Sequence, residues 1–253
     1  SEKYEEVSKE YAQAPFTFEV ENEKQSLFYF GANHSHDPKN HQFPILKDYW
    51  KKFLTKTEGK DRIVLVEGRL RSIESDGEAA IRRGSEGSFI TFMANQDNVP
   101  VACPDPDDQE LTKQLPDISK EDLILYFFLS YVDGFRRYPD PNPDFKQSME
   151  RWIDYHKQKG TFGDVDVTVD YLKDLYKKTL GKEFDEKDNV NDLVNPNKTG
   201  TKVNQAARAR SDMRDANIAS EIVRYWQEGK SIFVVFGSGH LIIEKPALLK
   251  LLK

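Results

Sequence analysis

Two histidines in this chain follow apolar runs at the same spacing: SLFYF leads into Gly31-Ala-Asn-His34, and SIFVVF into Gly237-Ser-Gly-His240. A third run, RIVLV, leads into Glu67-Gly-Arg69, and VPVAC leads into Pro104-Asp105. Two imidazoles and a carboxylate are a common ligand set for a catalytic divalent metal that keeps one position open for water. The same three groups can also hold and deprotonate a water without any metal. His34, Glu67 and His240 are therefore candidate catalytic residues and candidate metal ligands, and on the residues alone both modes stand open. Taken singly, each has a plainer reading. A histidine can be a satisfied strand-end residue, and Glu67 can pair with Arg69 or Arg71. The repeated G-x-x-H weighs against that reading.

The segment Asn204 to Gln227 reads as one long helix and adds an independent set. At about 100° per residue, Ala219, Ile222, Val223 and Trp226 share an apolar stripe on which Arg208, Asp212 and Asp215 also fall. A core-facing stripe that turns ionic toward its start predicts that this end faces a polar crevice, because buried charges need partners. Asp215 is a candidate general base, as is Glu67. Arg214, on the flank, is placed to clamp an anion or a polarised carbonyl, or else pairs with Glu221 or Asp215. Other residues carry less weight. His36 and His41 belong to a loop expected to be solvated, Glu86 reads as a surface carboxylate, and His156 as exposed. Cys103 reads as buried filler, and Asp105, Asp107 and Asp108 as a helix start, where carboxylates are favoured.

The elements that must position these residues alternate. Phe16–Val20 and Ser26–Phe30 read as a hairpin, Pro44–Thr55 as a helix, Arg62–Val66 as a strand, Gly77–Ala94 as mostly helix and Val99–Ala102 as a short strand. Ser231–Phe236 reads as a further buried strand and Lys245–Leu252 as a closing helix. Continuous apolar runs between helices predict an α/β domain with a mixed, largely parallel sheet covered by helices on both faces. In such sheets ligands bind outside the carboxyl ends of the strands, so the four polar endings are expected to converge. Residues 104–204 differ, with helical patterns over Lys120–Tyr138, Asp144–Gln158 and Asp164–Leu180 and loop-like joints at Tyr138–Pro143 and Asn195–Thr201. They predict an all-helical insertion in a single domain of residues 1–253, acting as a cap.

Composition narrows the classes. The 253 residues suit a self-sufficient core, and a formal net charge of −6 argues against a general nucleic-acid binder. One cysteine excludes an internal disulfide framework or a zinc site built on several thiolates. The densest apolar run, Leu123 to Val132, is too short to span a bilayer. The opening SEKYEEVSKEY has no basic n-region or apolar h-region, and its start without Met reads as a trimmed boundary. Sequons occur at Asn33 and Asn197. A glycan on Asn33 would crowd His34, which favours a cytoplasmic reading.

GANH after the first core strand, VLVEGRLR after the second, MRDANIA on the long helix and VVFGSGHL after the last strand together resemble the TraB/PrgY/Tiki group. That group lies within a broader set including erythromycin esterases and ChaN-like proteins. Order and spacing match along Ser26–Arg71 and Ser211–Leu249, and the middle only in being helical. The resemblance implies that His34, Glu67, Arg214, Asp215 and His240 form the shared polar site. It implies a hydrolase of a peptide or ester bond, dependent on Mn, Co or Zn as in Tiki members or metal-independent as in erythromycin esterases. Ala32 stands where the esterase and ChaN branch shows Glu, which places the chain nearer TraB/Tiki. PrgY-like members imply a different outcome, a regulatory module. In this chain it would bind a peptide or small hydrophobic ligand under aromatics such as Tyr126, Phe127, Phe128, Tyr131 and Phe135.

Overall fold

The computed structural model describes residues 14–106, 115, 117–136 and 144–252. Asp107, Asp108 and the Pro-rich joint at 138–143 lie outside them. Contacts divide the chain into two compact units, residues 1–105 with 214–253, and residues 106–213.

The first unit is built on a five-stranded sheet in the order β1-β2-β5-β3-β4, with β1 Phe16–Glu21, β2 Ser26–Ala32, β3 Arg62–Val66, β4 Val101–Ala102 and β5 Ser231–Gly237. The hairpin β1–β2 is antiparallel and the other pairings are parallel. β5 is therefore flanked by β2 and β3, and all three run the same way. The register pairs Ala32 with Gly237 and Val66 with Val235. Residues just after β2 and β3 consequently emerge on either side of the end of β5.

Strand side chains alternate between faces, and here both faces are apolar. Phe28, Phe30, Val64, Val66, Phe233 and Val235 pack against α1 (Gln42–Lys56) and α2 (Gly77–Gln96). The alternate residues Leu27, Tyr29, Ile63, Leu65, Ile232, Val234 and Phe236 pack against the latter part of α7 (Lys202–Gln227) and α8 (Ser238–Leu251). On α7 the buried residues of the stripe are Ile218, Ile222 and Trp226, with Ala219 and Val223 at its margin. Gly31 permits the close approach of α8: a Cβ there would lie 3.0–3.1 Å from Leu241 and from Ser238 Cα.

Residues 106–213 contain helices only among the described residues: α3 Lys120–Arg136, α4 Phe145–Gln158, α5 Val169–Leu180, the short α6 Asn191–Val194 and the first part of α7. They have their own core, in which Phe127, Phe128, Met149, Phe162, Leu172 and Tyr176 are buried. Tyr126, Phe127 and Phe128 belong to that core, Tyr131 stacks on Trp152, and Phe135 meets Phe145 edge to face. The unit extends to Met213, past the expected boundary at 204, because the start of α7 packs with these helices through Ala206, Ala207 and Met213. His156 is only 7% exposed, not on the surface as its polar helix suggests, because aromatic rings surround it and Thr161 Oγ1 lies 3.1 Å from Nδ1. No helix among the described residues is long and apolar enough to cross a membrane.

Two elements differ from the sequence reading in ways that shape the site. α8 begins at Ser238, directly after β5, whereas hydropathy suggests a start at Lys245. His240 is thereby in its first turn. α2 is kinked at Gly84 (φ −156°, ψ 32°) and Ser85 (φ 57°, ψ −146°), and the kink turns the following residue inward.

Candidate active site

β2, β3 and β5 deliver His34, Glu67 and His240 to one edge of the sheet, and Glu67 lies between the rings. His34 Nε2 is 3.5 Å from Glu67 Oε2, and His240 Nε2 is 3.5 Å from Oε1. The carboxylate is held in place by two further donors. The Gly237 N–H donates to Oε2 at 2.8 Å, and Arg214 Nη2 donates to Oε1 at 3.0 Å. Gly237 must lack a Cβ, which would stand 3.0 Å from His34 Nε2 and 3.4 Å from Glu67 Oε2.

Each imidazole is oriented from behind by a second carboxylate. His34 Nδ1 lies 3.2 Å from Glu86 Oε2, and His240 Nδ1 lies 2.5 Å from Asp215 Oδ1. A carboxylate only accepts, so each Nδ1 carries a hydrogen and each Nε2 is the atom turned to Glu67. Glu86 is 1% exposed. Its Oε1 accepts from Ser35 N–H at 2.9 Å and from Gln42 Nε2 at 2.7 Å, and its Oε2 accepts from Ser85 Oγ at 2.5 Å. The expected surface carboxylate is thus a buried anchor for His34. The local cause is the α2 kink at Gly84 and Ser85, which turns inward a carboxylate that its place mid-helix among small residues would leave on the surface.

Arg214 is fixed by two carboxylates. Besides Glu67 it donates to Asp105, from Nε to Oδ1 at 2.7 Å and from Nη2 to Oδ2 at 3.0 Å. Asp105 Oδ2 also accepts from Gly68 N–H at 2.5 Å. Asp105 is therefore a buttress of the site rather than a helix start, as its place after the fourth apolar run hints. Arg214 pairs with neither Asp215 nor Glu221, which holds Arg224 instead. Of the ionic stripe on α7, Asp215 is buried against His240, Asp212 is exposed and Arg208 caps carbonyls of Pro196 and Lys198.

The charges reinforce one another. Burial opposes ionisation of Glu67, but the His240 and His34 rings and Arg214 outweigh it and hold the carboxyl well below the usual carboxylate range. Burial likewise opposes the charge on His240. The Glu67 carboxylate and the hydrogen bond to Asp215 reverse that and push it up to about 10. Partial burial opposes charge on His34, and its bond to Glu86 and the charge on Glu67 raise it above the ordinary 6.5. His34 is the ring open to solvent, with 53% of its side chain exposed.

Behind His240 lies Glu244, four residues on along α8. Its Oε2 accepts from Tyr29 O–H at 3.0 Å, and its Oε1 is 4.0 Å from His240 Nδ1. Burial, together with the charge on Asp215, raises its carboxyl well above the usual range. Asp215, His240 and Glu244 each offer a ligand atom within 4.8 Å of the others, close enough to hold a metal ion. The i, i+4 spacing of His240 and Glu244 is the sequence signal for this grouping, hidden because the start of α8 reads as loop. Of the minor candidates, His36 is exposed beside the Arg82 carbonyl, His41 is exposed before α1, and Cys103 is partly exposed with its thiol pushed up by burial.

Fold and site together define an α/β protein with histidine–carboxylate chemistry at the carboxyl edge of a mostly parallel sheet. No family model, curated protein or solved structure matches the chain.

Proposed function

We propose that this protein hydrolyses a peptide or ester bond. The observation that carries the reading is a single ionised carboxylate, Glu67, set between two imidazoles whose Nδ1 atoms are each tied to a buried carboxylate. Such backing fixes tautomer and ring orientation, which general acid–base work requires. The resemblance of GANH, VLVEGRLR, MRDANIA and VVFGSGHL to the TraB/PrgY/Tiki group supports the same reading.

The roles follow from charge and exposure. His34 is the solvent-facing ring, and its Nε2 lone pair takes the proton of a water that Glu67 Oε2 orients. His240, charged at neutral pH, presents an N–H toward the same place and stabilises negative charge developing on the attacked carbonyl oxygen. The His34 imidazolium then returns its proton to the leaving alkoxide or amine. Arg214 holds Glu67 ionised and in position, while Asp215 and Glu86 orient the two rings.

The residue types at the strand ends point to a divalent ion of the Mn, Co or Zn class on His34, Glu67 and His240, and the resemblance to Tiki members supports metal dependence. Convergent donor atoms are those of Asp215, His240 and Glu244, where the buried Asp215 Oδ2 and Glu244 Oε1 have no hydrogen-bond partner and so fit a cation. Bound in such a site, the ion would supply positive charge and Lewis acidity.

Purified protein should be assayed on a panel of activated esters and short peptides, with and without chelator. Turnover that disappears in the His34→Ala/His240→Ala double variant, with the fold intact by circular dichroism, is the expected result. Full activity in that variant would refute the assignment.

A further inference from the structure

The oxygens left over behind His240 call for an occupant. Asp215 and Glu244 are 4% and 2% exposed, so both carboxyl groups are out of water. One oxygen of each is accounted for: Asp215 Oδ1 by His240 Nδ1 at 2.5 Å, and Glu244 Oε2 by the Tyr29 hydroxyl at 3.0 Å. The other oxygen of each, Asp215 Oδ2 and Glu244 Oε1, is buried with no hydrogen-bond partner. A buried, unsatisfied acceptor costs about 1–3 kcal/mol, and more when charged. Two such acceptors beside one imidazole form an arrangement that a cation relieves directly.

We propose that Asp215, His240 and Glu244 form a divalent-cation site, with His240 Nδ1 and one oxygen from each carboxylate as ligands. Donor type selects the class of ion. One imidazole with two carboxylates suits Zn²⁺, Co²⁺ or Mn²⁺ better than Mg²⁺ or Ca²⁺, which prefer all-oxygen shells. The three donor atoms already lie within 4.8 Å of one another. They come from rigid elements: Asp215 from α7, and His240 and Glu244 from one face of α8 at i, i+4. Tyr29, from β2, steadies Glu244 as an outer-shell partner. The ion takes the place of the hydrogen on His240 Nδ1 and of the proton held on the buried Glu244 carboxyl, both of which are released to solvent on binding.

The site lies on the Nδ1 side of His240, whereas the His34, Glu67 and His240 set lies on its Nε2 side. With Nδ1 on the ion, His240 Nε2 keeps its hydrogen and still faces Glu67 at 3.5 Å. The ion would therefore orient and charge the ring that serves the hydrolytic site. This role rests on the hydrolase reading, whereas the binding itself does not and is read without substrate.

The test is titration of chelator-treated protein with Co²⁺, followed by visible absorption, calorimetry and elemental analysis. One ion per chain is expected. Glu244→Gln, which removes a direct ligand, should weaken binding by at least about 100-fold, the upper end of what loss of even an outer-shell partner costs, while His34→Ala leaves it unchanged. Thermal unfolding of each metal-free variant controls for folding. In the wild-type chain, Co²⁺ should shift the ring-proton resonances of His240 far more than those of His34, which needs no variant at all. Absence of Co²⁺ and Zn²⁺ binding by wild-type protein would overturn the proposal. Binding lost in His34→Ala and kept in Glu244→Gln would also overturn it, by moving the ion to the His34–Glu67 side. Intact ion binding without hydrolysis of any ester or peptide would leave this site standing and remove the hydrolase reading alone.

Discussion

Replacing Glu86 by Gln should disable His34 while leaving the chain folded. Glu86 Oε1 meets two N–H donors, from Ser35 at 2.9 Å and Gln42 at 2.7 Å, so the Gln carbonyl must take that end. The amide nitrogen then occupies the place of Oε2 and faces His34 Nδ1. Two donors cannot share a hydrogen bond, so His34 must release its Nδ1 hydrogen and carry it on Nε2, where the lone pair for water activation is needed. The Ser85 hydroxyl loses its acceptor on Glu86 but keeps the Ser35 carbonyl at 2.9 Å. A hydrogen bond to a charged group contributes about 1 kcal/mol more than a neutral one, so weakening the two retained bonds and losing the Ser85 contact should cost about 2–3 kcal/mol. The half-exposed His34 contact adds little because solvent screens it. Turnover should fall by about 10²–10⁴, the range for losing an oriented general base. Two-dimensional ¹H–¹⁵N spectra of the ring nitrogens report the tautomer, and urea unfolding reports the stability. The same His34 tautomer and an unchanged titration in the variant would refute the reasoning.

Further perturbations separate site from scaffold. Gly237→Ala is backbone-compatible at φ −55° and ψ 144°, but its Cβ would crowd His34 Nε2 at 3.0 Å. It should change unfolding free energy by no more than about 1 kcal/mol and reduce turnover at least about tenfold; equal turnover would contradict the tight packing of the site. At Ser85, φ 57° with ψ −146° strains any residue with a Cβ, so Ser85→Gly should be about 1 kcal/mol more stable than Ser85→Ala. Equal urea midpoints would remove the strain argument. His240 is raised to about 10 in the folded chain against an ordinary 6.5. The native state therefore keeps a proton that the unfolded state releases. In metal-free protein this contribution is complete below pH 6.5 and is lost as pH rises through about 10, with a slope of about 1.4 kcal/mol per pH unit. His240→Gln should flatten that part of the stability profile, and an unaltered slope would assign the effect elsewhere.

Much of the fold was legible because its signals are local. The runs SLFYF, RIVLV and SIFVVF are apolar on both faces, as strands covered by helices must be, and each became a parallel neighbour in the sheet. The repeated G-x-x-H singled out His34 and His240, which the structure brings to either side of Glu67. What remained hidden depends on conformation that propensity does not encode. Glu86 is turned inward by two residues of non-helical backbone inside α2, and Gln42, fully buried, is recruited to bridge it to Asn33. Glu244 was obscured because α8 starts on the apolar, glycine-containing stretch GSGHLII, where its periodicity is masked. Asp105 was visible as a strand-end carboxylate, but its partner Arg214 lies 109 residues away, and no local pattern joins them.

Glu67, between two imidazoles, orients the water that His34 deprotonates, and Glu67→Gln tests that role most directly. The comparison is kcat for this variant and wild type on the best substrate of an ester and peptide panel, with the fold verified by circular dichroism. The account predicts wild-type turnover that falls by about 10³ or more in the variant, with KM changed far less, as expected for a group acting in the transition state. Undiminished kcat in Glu67→Gln would contradict it.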